Sequence, residues 1–148
     1  MNFRKVLSPQ TIKVGLQGQT KNEIIEELLD LICSNGKVAD RDVALRALLE
    51  RERKMSTGME HGVAIPHGKT ETVDELLVAL GTHKTGVEFE SLDGELSRIF
   101  IMTLSPKDRS GPHIQFLAEV SRILRSEPVR EMLLAATTSE DLLRIMTT

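Results

Sequence analysis

Three short apolar runs, residues 62–66, 76–83 and 98–104, are bounded by turn-forming residues and lie among segments whose apolar residues recur at helical spacing. Runs of this length between turn signals read as buried strands. Upstream, Ile12-Lys13-Val14-Gly15-Leu16 alternates as a short strand does. Thr20-Lys21-Asn22-Glu23 has the pattern of a capping box. It precedes a helical stripe of Ile24, Ile25, Leu28, Leu29 and Ile32, closed by Asn35-Gly36. Asp40 caps a second helix through Val43, Ala44, Ala47 and Leu48. A third runs from residue 112 to about 125, Pro128 opens a fourth, and Thr138-Ser139-Glu140-Asp141 caps a short last one docked at the C-terminus. Strands interleaved with helices predict an α/β domain. Without repeats, linker or low-complexity tract, residues 1–148 read as one domain, long enough for a real core.

With four Phe and neither Trp nor Tyr, that core has to be built from Leu, Ile, Val and Ala. The net charge of −3, from nineteen basic and twenty-two acidic residues, carries no nucleic-acid footprint. Cys33 is the only cysteine, so no internal disulfide can form, which suits a reducing cytosol. Met1-Asn2-Phe3-Arg4-Lys5 leads into no apolar region of signal-peptide length, and no run reaches membrane-spanning length. The expectation is a cytoplasmic protein that does not insert into the membrane.

The chemistry-bearing residues sit in three places. Val63-Ala64-Ile65 stops at Pro66, which cannot donate to a ladder, so the strand ends or lies at an edge there. His67 follows at that strand end, and Gly68 lets other backbone or a ligand approach closely. Imidazole is well suited to accept and pass on a group near neutral pH. Taken alone, the segment fits a turn histidine without a role equally well. Ser110-Gly111-Pro112-His113 precedes Ile114, Leu117, Val120 and Leu124. Ser110 or Gly111 serves as N-cap and Pro112 as the first helical residue. Positions 113, 117, 120 and 124 share one face, so His113 points toward the body of the protein. A helix N-terminus offers unpaired N–H groups and a positive dipole end, which suits an anion. Alone, this position reads as a core histidine satisfied by a backbone carbonyl. Glu50-Arg51-Glu52-Arg53 ends a helix before Ser56-Thr57-Gly58, an arginine fork beside a hydroxyl-rich turn. Those groups are expected around phosphoryl oxygens. In isolation they describe a solvated helix end and a loop.

Together the segments carry a resemblance. Arg51, Ser56-Thr57-Gly58 and Gly62-Val63-Ala64-Ile65-Pro66-His67-Gly68 resemble the enzyme IIA domains of the phosphoenolpyruvate-dependent sugar phosphotransferase system, in the fructose–mannitol superfamily with its nitrogen-regulatory branch (EIIA type 2). Phe89-Glu90-Ser91-Leu92-Asp93-Gly94 is similar to the family's segment before its central strand. Ile99 to Pro106 is similar to that strand and its exit, and His113 to Leu124 to the helix bearing the family's second histidine. The resemblance spans residues 5 to 146 or nearly so. It implies a mixed β-sheet flanked by helices, the fructose/mannitol-type enzyme IIA fold. It also implies a phosphocarrier that takes a phosphoryl group from the phosphohistidine of the carrier HPr and passes it to a IIB domain on a separate chain.

By motif position the acceptor falls on His67, the assisting histidine on His113 and the phosphate-binding arginine on Arg51. No cofactor is implied. Glu60-His61 stands where many relatives have Gly-Asn, adding a carboxylate and an imidazole near the site. The same resemblance allows a regulatory module whose phosphorylation state controls binding to transporters, kinases or transcription factors.

Rival chemistries fit less well. Zinc needs three or four converging ligands, and six residues of strand would hold His61 and His67 about 20 Å apart unless the chain bends. There is no phosphate-loop or dinucleotide glycine motif, and no nucleophile elbow of a Ser-His-Asp hydrolase. Lys69 and Thr70 follow His67 and either touch phosphate or remain solvated.

Overall fold

The computed structural model describes residues 3–147. Two short 3-10 turns, Phe3–Lys5 and Pro9–Thr11, lead into strand β1 (Ile12–Val14). Then come helices α1 (Lys21–Cys33) and α2 (Arg41–Lys54), and the short strands β2 (Val63–Ala64) and β3 (His67–Lys69). The long strands β4 (Leu77–Val87) and β5 (Ser97–Ser105) follow, then helices α3 (Gly111–Leu124), α4 (Glu127–Ala135) and α5 (Ser139–Thr147). The sheet runs β1-β4-β5-β2, with β3 also pairing β5. β4 and β5 are antiparallel, and β1, β2 and β3 each pair parallel to their neighbour. The α/β class and the mixed sheet flanked by helices are as the sequence predicts.

Both faces of the sheet are covered, which is why its central strands are continuous apolar runs. Along β5, Phe100, Met102 and Leu104 face Ile24, Ile25, Leu28 and Leu48 of α1 and α2. Ile99 and Ile101 face Phe116 and Val120 of α3, with Leu133 and Leu142 of the last two helices. All four phenylalanines are buried, Phe89 and Phe100 in the first layer and Phe3 and Phe116 in the second, and aliphatic side chains fill the rest.

The helix caps form as their residues dictate. Thr20 accepts from the Glu23 amide at 3.2 Å, while the Glu23 carboxylate reaches back to the Gln19 amide at 2.8 Å. The Asp40 carboxylate accepts from Asp42 and Val43. Pro128 lies in the first turn of α4, capped by Ser126, and Thr138 accepts from the Asp141 amide at the start of α5.

Four expectations are corrected. β1 stops at Val14 because Gly15 takes φ +82°, although Gly15 and Leu16 both still donate to the Thr82 carbonyl. The single strand expected over 62–66 is two pieces. β2 ends before Pro66, whose carbonyl accepts from Thr103, and pairing resumes at His67 against the same β5 edge. β4 runs beyond residue 83 to Val87, with a register shift between Thr82 and Val87. On α3 the buried stripe is His113, Phe116, Val120 and Leu124, while Ile114 is 63% exposed. Ile114 sits about 100° around the helix from His113, which takes it off the core face.

Gly68 performs the service expected of it. A Cβ there would lie 3.3 Å from the Leu48 amide nitrogen and 3.4 Å from the Ala47 carbonyl carbon. The absent side chain thus lets the α2 backbone settle directly on β3. Gly68→Val should lower stability by about 1–3 kcal/mol through overpacking, read as a reduced urea midpoint with unchanged m. A wild-type midpoint would show that α2 does not rest on this strand.

Candidate functional site

His67 opens β3 at the sheet edge, half-buried, with its Nδ1 3.0 Å from the Ile65 carbonyl oxygen. A carbonyl can only accept, so the bond requires the proton on Nδ1. That leaves Nε2 with its lone pair. Burial pushes the imidazole below its ordinary pKa, the Ile65 carbonyl opposes this, Arg51 pushes further down, Glu52 opposes again, and Lys69 lowers it once more; the net is downward. Neutral imidazole is therefore the favoured form near neutral pH.

His113 lies in the first turn of α3, 7% exposed, its ring centroid 5.2 Å from that of His67. Its pKa falls from 6.5 to about 4, chiefly through burial, then through the neighbouring His67 and Lys69. Its Nε2 is buried with no protein partner. Ser110 is the N-cap residue but makes no capping bond. Its hydroxyl instead accepts from Lys69 Nζ at 2.8 Å, tying β3 to the start of the His113 helix. Pro112 occupies the first helical turn, without an amide proton.

Arg51 sits in the last turn of α2, and one guanidinium nitrogen donates to the Met55 carbonyl at 2.8 Å. With Arg46, Lys54, Lys69 and Lys107 it lines an open cleft of about 390 Å³ beside β3. Three of the singled-out groups thus converge: two histidines in ring contact, and Arg51 close enough that its charge lowers the His67 pKa.

Other expected contributors are turned elsewhere. The Ser56 hydroxyl donates to the Phe89 carbonyl and the Thr57 hydroxyl to Glu52, so both serve the loop itself. Thr70 is buried and pairs with Thr72. His61 lies in a turn with φ +62° rather than in a strand, its amide donating to the Asp93 carboxylate. Its ring is exposed, 3.8 Å from Glu60. Among the described residues, no group of three or more His, Cys, Asp or Glu side chains could hold a metal ion.

Sequence reasoning missed three participants. Glu52, 7% exposed, accepts from the Thr57 amide at 2.8 Å and hydroxyl at 2.6 Å, and pairs with Lys21 at 3.0 Å. Thr103, the register partner of His67, and Ser105, the partner of Lys69, carry buried hydroxyls without a protein partner. Alternation along 98–104 held the signal for Thr103, because it shares the β5 face of Ile99 and Ile101, the face covered by α3. His83 shows the contrast. Nε2–H donates to the Gly18 carbonyl, and Nδ1 accepts from the Thr85 and Gly86 amides. Both nitrogens are satisfied there, as in an ordinary structural histidine.

The family model that describes the EIIA 2 component of the phosphoenolpyruvate-dependent sugar phosphotransferase system matches residues 5–148. The fructose-specific EIIA component of Haloferax volcanii is 44% identical over 117 residues, covering 79% of this chain and 76% of that protein. The fructose-specific EIIABC component of Bacillus subtilis is 33% identical across 99% of this chain, which spans only 23% of that longer protein. Among solved structures, the nitrogen regulatory protein IIA-Ntr of Neisseria meningitidis superposes with a TM-score of 0.91 at 25% identity, covering 98% of this chain and 99% of that one. Enzyme IIAMTL of Escherichia coli, solved in complex with phosphorylated enzyme IIBMTL, superposes at 0.81 with 25% identity over 95% of this chain and 96% of that one.

Because His113 stays neutral in the folded state, the unfolded chain binds a proton first as pH falls below 6.5. Stability from this residue is complete above 6.5 and is lost as pH drops toward about 4. His67, shifted the same way, adds to the loss. Chemical denaturation at several pH values should show a shallower acid loss in His113→Gln than in wild type. Parallel curves would mean that the ring titrates alike in both states.

Proposed function

The chain belongs to the EIIA 2 family of the phosphoenolpyruvate-dependent sugar phosphotransferase system, and on that footing we propose that it is a phosphocarrier whose acceptor is His67. The donor is the phosphohistidine of an HPr-type carrier, and the recipient is a IIB domain on a separate chain, with both exchanges in the cytoplasm. No helix among the described residues is long and apolar enough to cross a membrane. The observation that carries the reading is the His67 hydrogen bond to the Ile65 carbonyl, which leaves Nε2 free to attack, next to a second imidazole with an unpartnered nitrogen.

Transfer proceeds in line. The N–P bond of the donor breaks as the Nε2–P bond of His67 forms, and the leaving imidazole takes back its lone pair. No proton has to leave Nε2, because the proton already resides on Nδ1. Little covalent machinery is required, so the protein contributes position and charge. Arg51 offsets the phosphoryl charge. His113, protonated on Nε2, donates there to a phosphoryl oxygen, and the amides of the α3 N-terminus face the same charge. The low pKa of His67 keeps it nucleophilic at neutral pH.

A regulatory reading has its own support. This chain matches IIA-Ntr over almost the whole of both chains, with the higher TM-score of the two structures. In that role the same phosphohistidine switches binding to transporters, kinases or transcription factors.

Incubation with phosphoenolpyruvate, enzyme I and HPr should place acid-labile label on His67 alone, and label persisting in His67→Ala would reject the acceptor. His113→Ala should still take label from HPr but pass it more slowly to a cognate IIB domain; unchanged onward transfer would reject its role. For Arg51, losing one charge-assisted contact should slow phosphorylation by an amount equivalent to about 2–3 kcal/mol. Arg51→Lys keeps the charge without the fork and should fall between wild type and Arg51→Ala. Equal rates in all three folded proteins would make Arg51 a surface residue.

A further inference from the structure

The buried carboxylate of Glu52 touches neither imidazole, yet a chain of hydrogen bonds connects it to His67. Its two oxygens accept from the Thr57 amide at 2.8 Å and the Thr57 hydroxyl at 2.6 Å. The Thr57 carbonyl accepts from the Ile65 amide at 3.0 Å. The Ile65 carbonyl in turn faces His67 Nδ1 at 3.0 Å. We infer that Glu52 is a positioning residue for His67, acting through Thr57 and Ile65 to hold the imidazole in the Nδ1–H tautomer with Nε2 presented outward.

Three further observations support this. Glu52 is also anchored by Lys21, whose Nζ lies 3.0 Å from the same Oε2 that accepts from the Thr57 amide; Lys21 Nζ also pairs with Glu90 at 3.0 Å and lies 5.0 Å from the centroid of the Phe89 ring. Three separate segments, α1, α2 and the loop at Thr57, thus meet at one carboxylate, and a buried ion pair of this kind is costly enough to be weak evidence for stability alone. Second, His67 has no side-chain partner on Nδ1: the carbonyl of Ile65 is the group that fixes its tautomer. Where that carbonyl points depends on where the Ile65 amide is held, and Thr57 holds it. Third, Pro66 supplies no amide to the ladder, and β2 ends at Ala64, so Ile65 and Pro66 lie between the two short strands. The Thr57 bond holds the Ile65 end of that gap, and the Thr103 amide holds the Pro66 carbonyl at the other.

The inference rests on the acceptor role of His67 for its functional meaning, but its structural content can be read without phosphate. Nitrogen-15 NMR of the imidazoles at neutral pH distinguishes the two tautomers. Wild-type His67 should be almost wholly Nδ1–H, against the preference of free histidine for Nε2–H. Thr57→Val removes the hydroxyl donor, and Glu52→Gln removes the charge that pairs with Lys21. Both should raise the Nε2–H fraction of His67 and slow phosphorylation from HPr by about tenfold, as expected from losing one buried hydrogen bond. Thr57→Ser keeps the hydroxyl and should restore both readouts, which a merely packing role of the threonine methyl would not allow. If Glu52→Gln fails to fold, the Thr57 pair decides. A wild-type tautomer ratio in folded Thr57→Val overturns the inference. A shifted ratio together with label on a residue other than His67 would uphold the relay and reject the acceptor assignment.

Discussion

β5 is hydrogen-bonded along both edges and covered on both faces, so its register fixes the position of everything at the site. On one side it ladders with β4 from Leu77↔Leu104 to Thr82↔Ile99. On the other it carries β2, skips Pro66, and then carries β3 with His67 opposite Thr103. A slip of one residue would carry Phe100 and Ile101 to the wrong layers and turn His67 from α3 toward α2. The hydrophobic alternation of β5 therefore also aims the imidazole. Gly68 completes the placement, because the close approach of α2 to β3 brings the end of that helix, with Arg51, to the same edge.

Electrostatics at the edge follow from that packing. Burial alone disfavours the charged form of both imidazoles, and Lys69 adds to the effect on each. The result is a neutral pair beside a rim where Arg46, Arg51, Lys54, Lys69 and Lys107 outnumber Glu50 and Glu71. Such an arrangement disfavours a proton, which must be accommodated on a buried ring, while it leaves arginine and lysine to face an anion. The Lys69 bond to Ser110 matters in this respect. It holds a cation where the strand of one histidine meets the helix of the other.

Much of this was legible in the sequence, for identifiable reasons. Caps at Thr20, Asp40 and Thr138 involve neighbours in the chain, so local pattern sufficed. His67, His113 and Arg51 stood out as reactive or charged residues beside proline, glycine and hydroxyls at element ends. What stayed hidden depends on residues distant in sequence. β4 continues past residue 83 through polar residues because β5 offers a partner as far as Ser97. The stripe of α3 was misread at Ile114, where apolar character stood in for facing direction. Glu52 resembled its neighbours in a run of alternating charges. Only folding shows that it is buried, since its partner Lys21 is thirty-one residues away. The hydroxyls of Ser56 and Thr57 suited a phosphate by type but were already committed within the loop.

The distribution of unmet hydrogen bonds adds a last step. Among the described residues, the buried side-chain polar atoms without a protein partner are Thr103 Oγ1, Ser105 Oγ and His113 Nε2. Each such atom costs about 1–3 kcal/mol when it is cut off from water and left unpaired. Scattered through a core they would be defects. Here Thr103 is registered against His67 and Ser105 against Lys69, while the His113 ring lies tilted at 5.2 Å from that of His67, so all three gather at one edge. Elsewhere the polar interior is carefully matched: His83 uses both ring nitrogens, and Glu52 engages both of its oxygens. Among the described residues, the buried side-chain groups without a protein partner thus lie together beside the His67 imidazole. Two hydroxyls and an imidazole nitrogen at one edge can donate to oxygen, which accords with the phosphoryl group proposed to bind there.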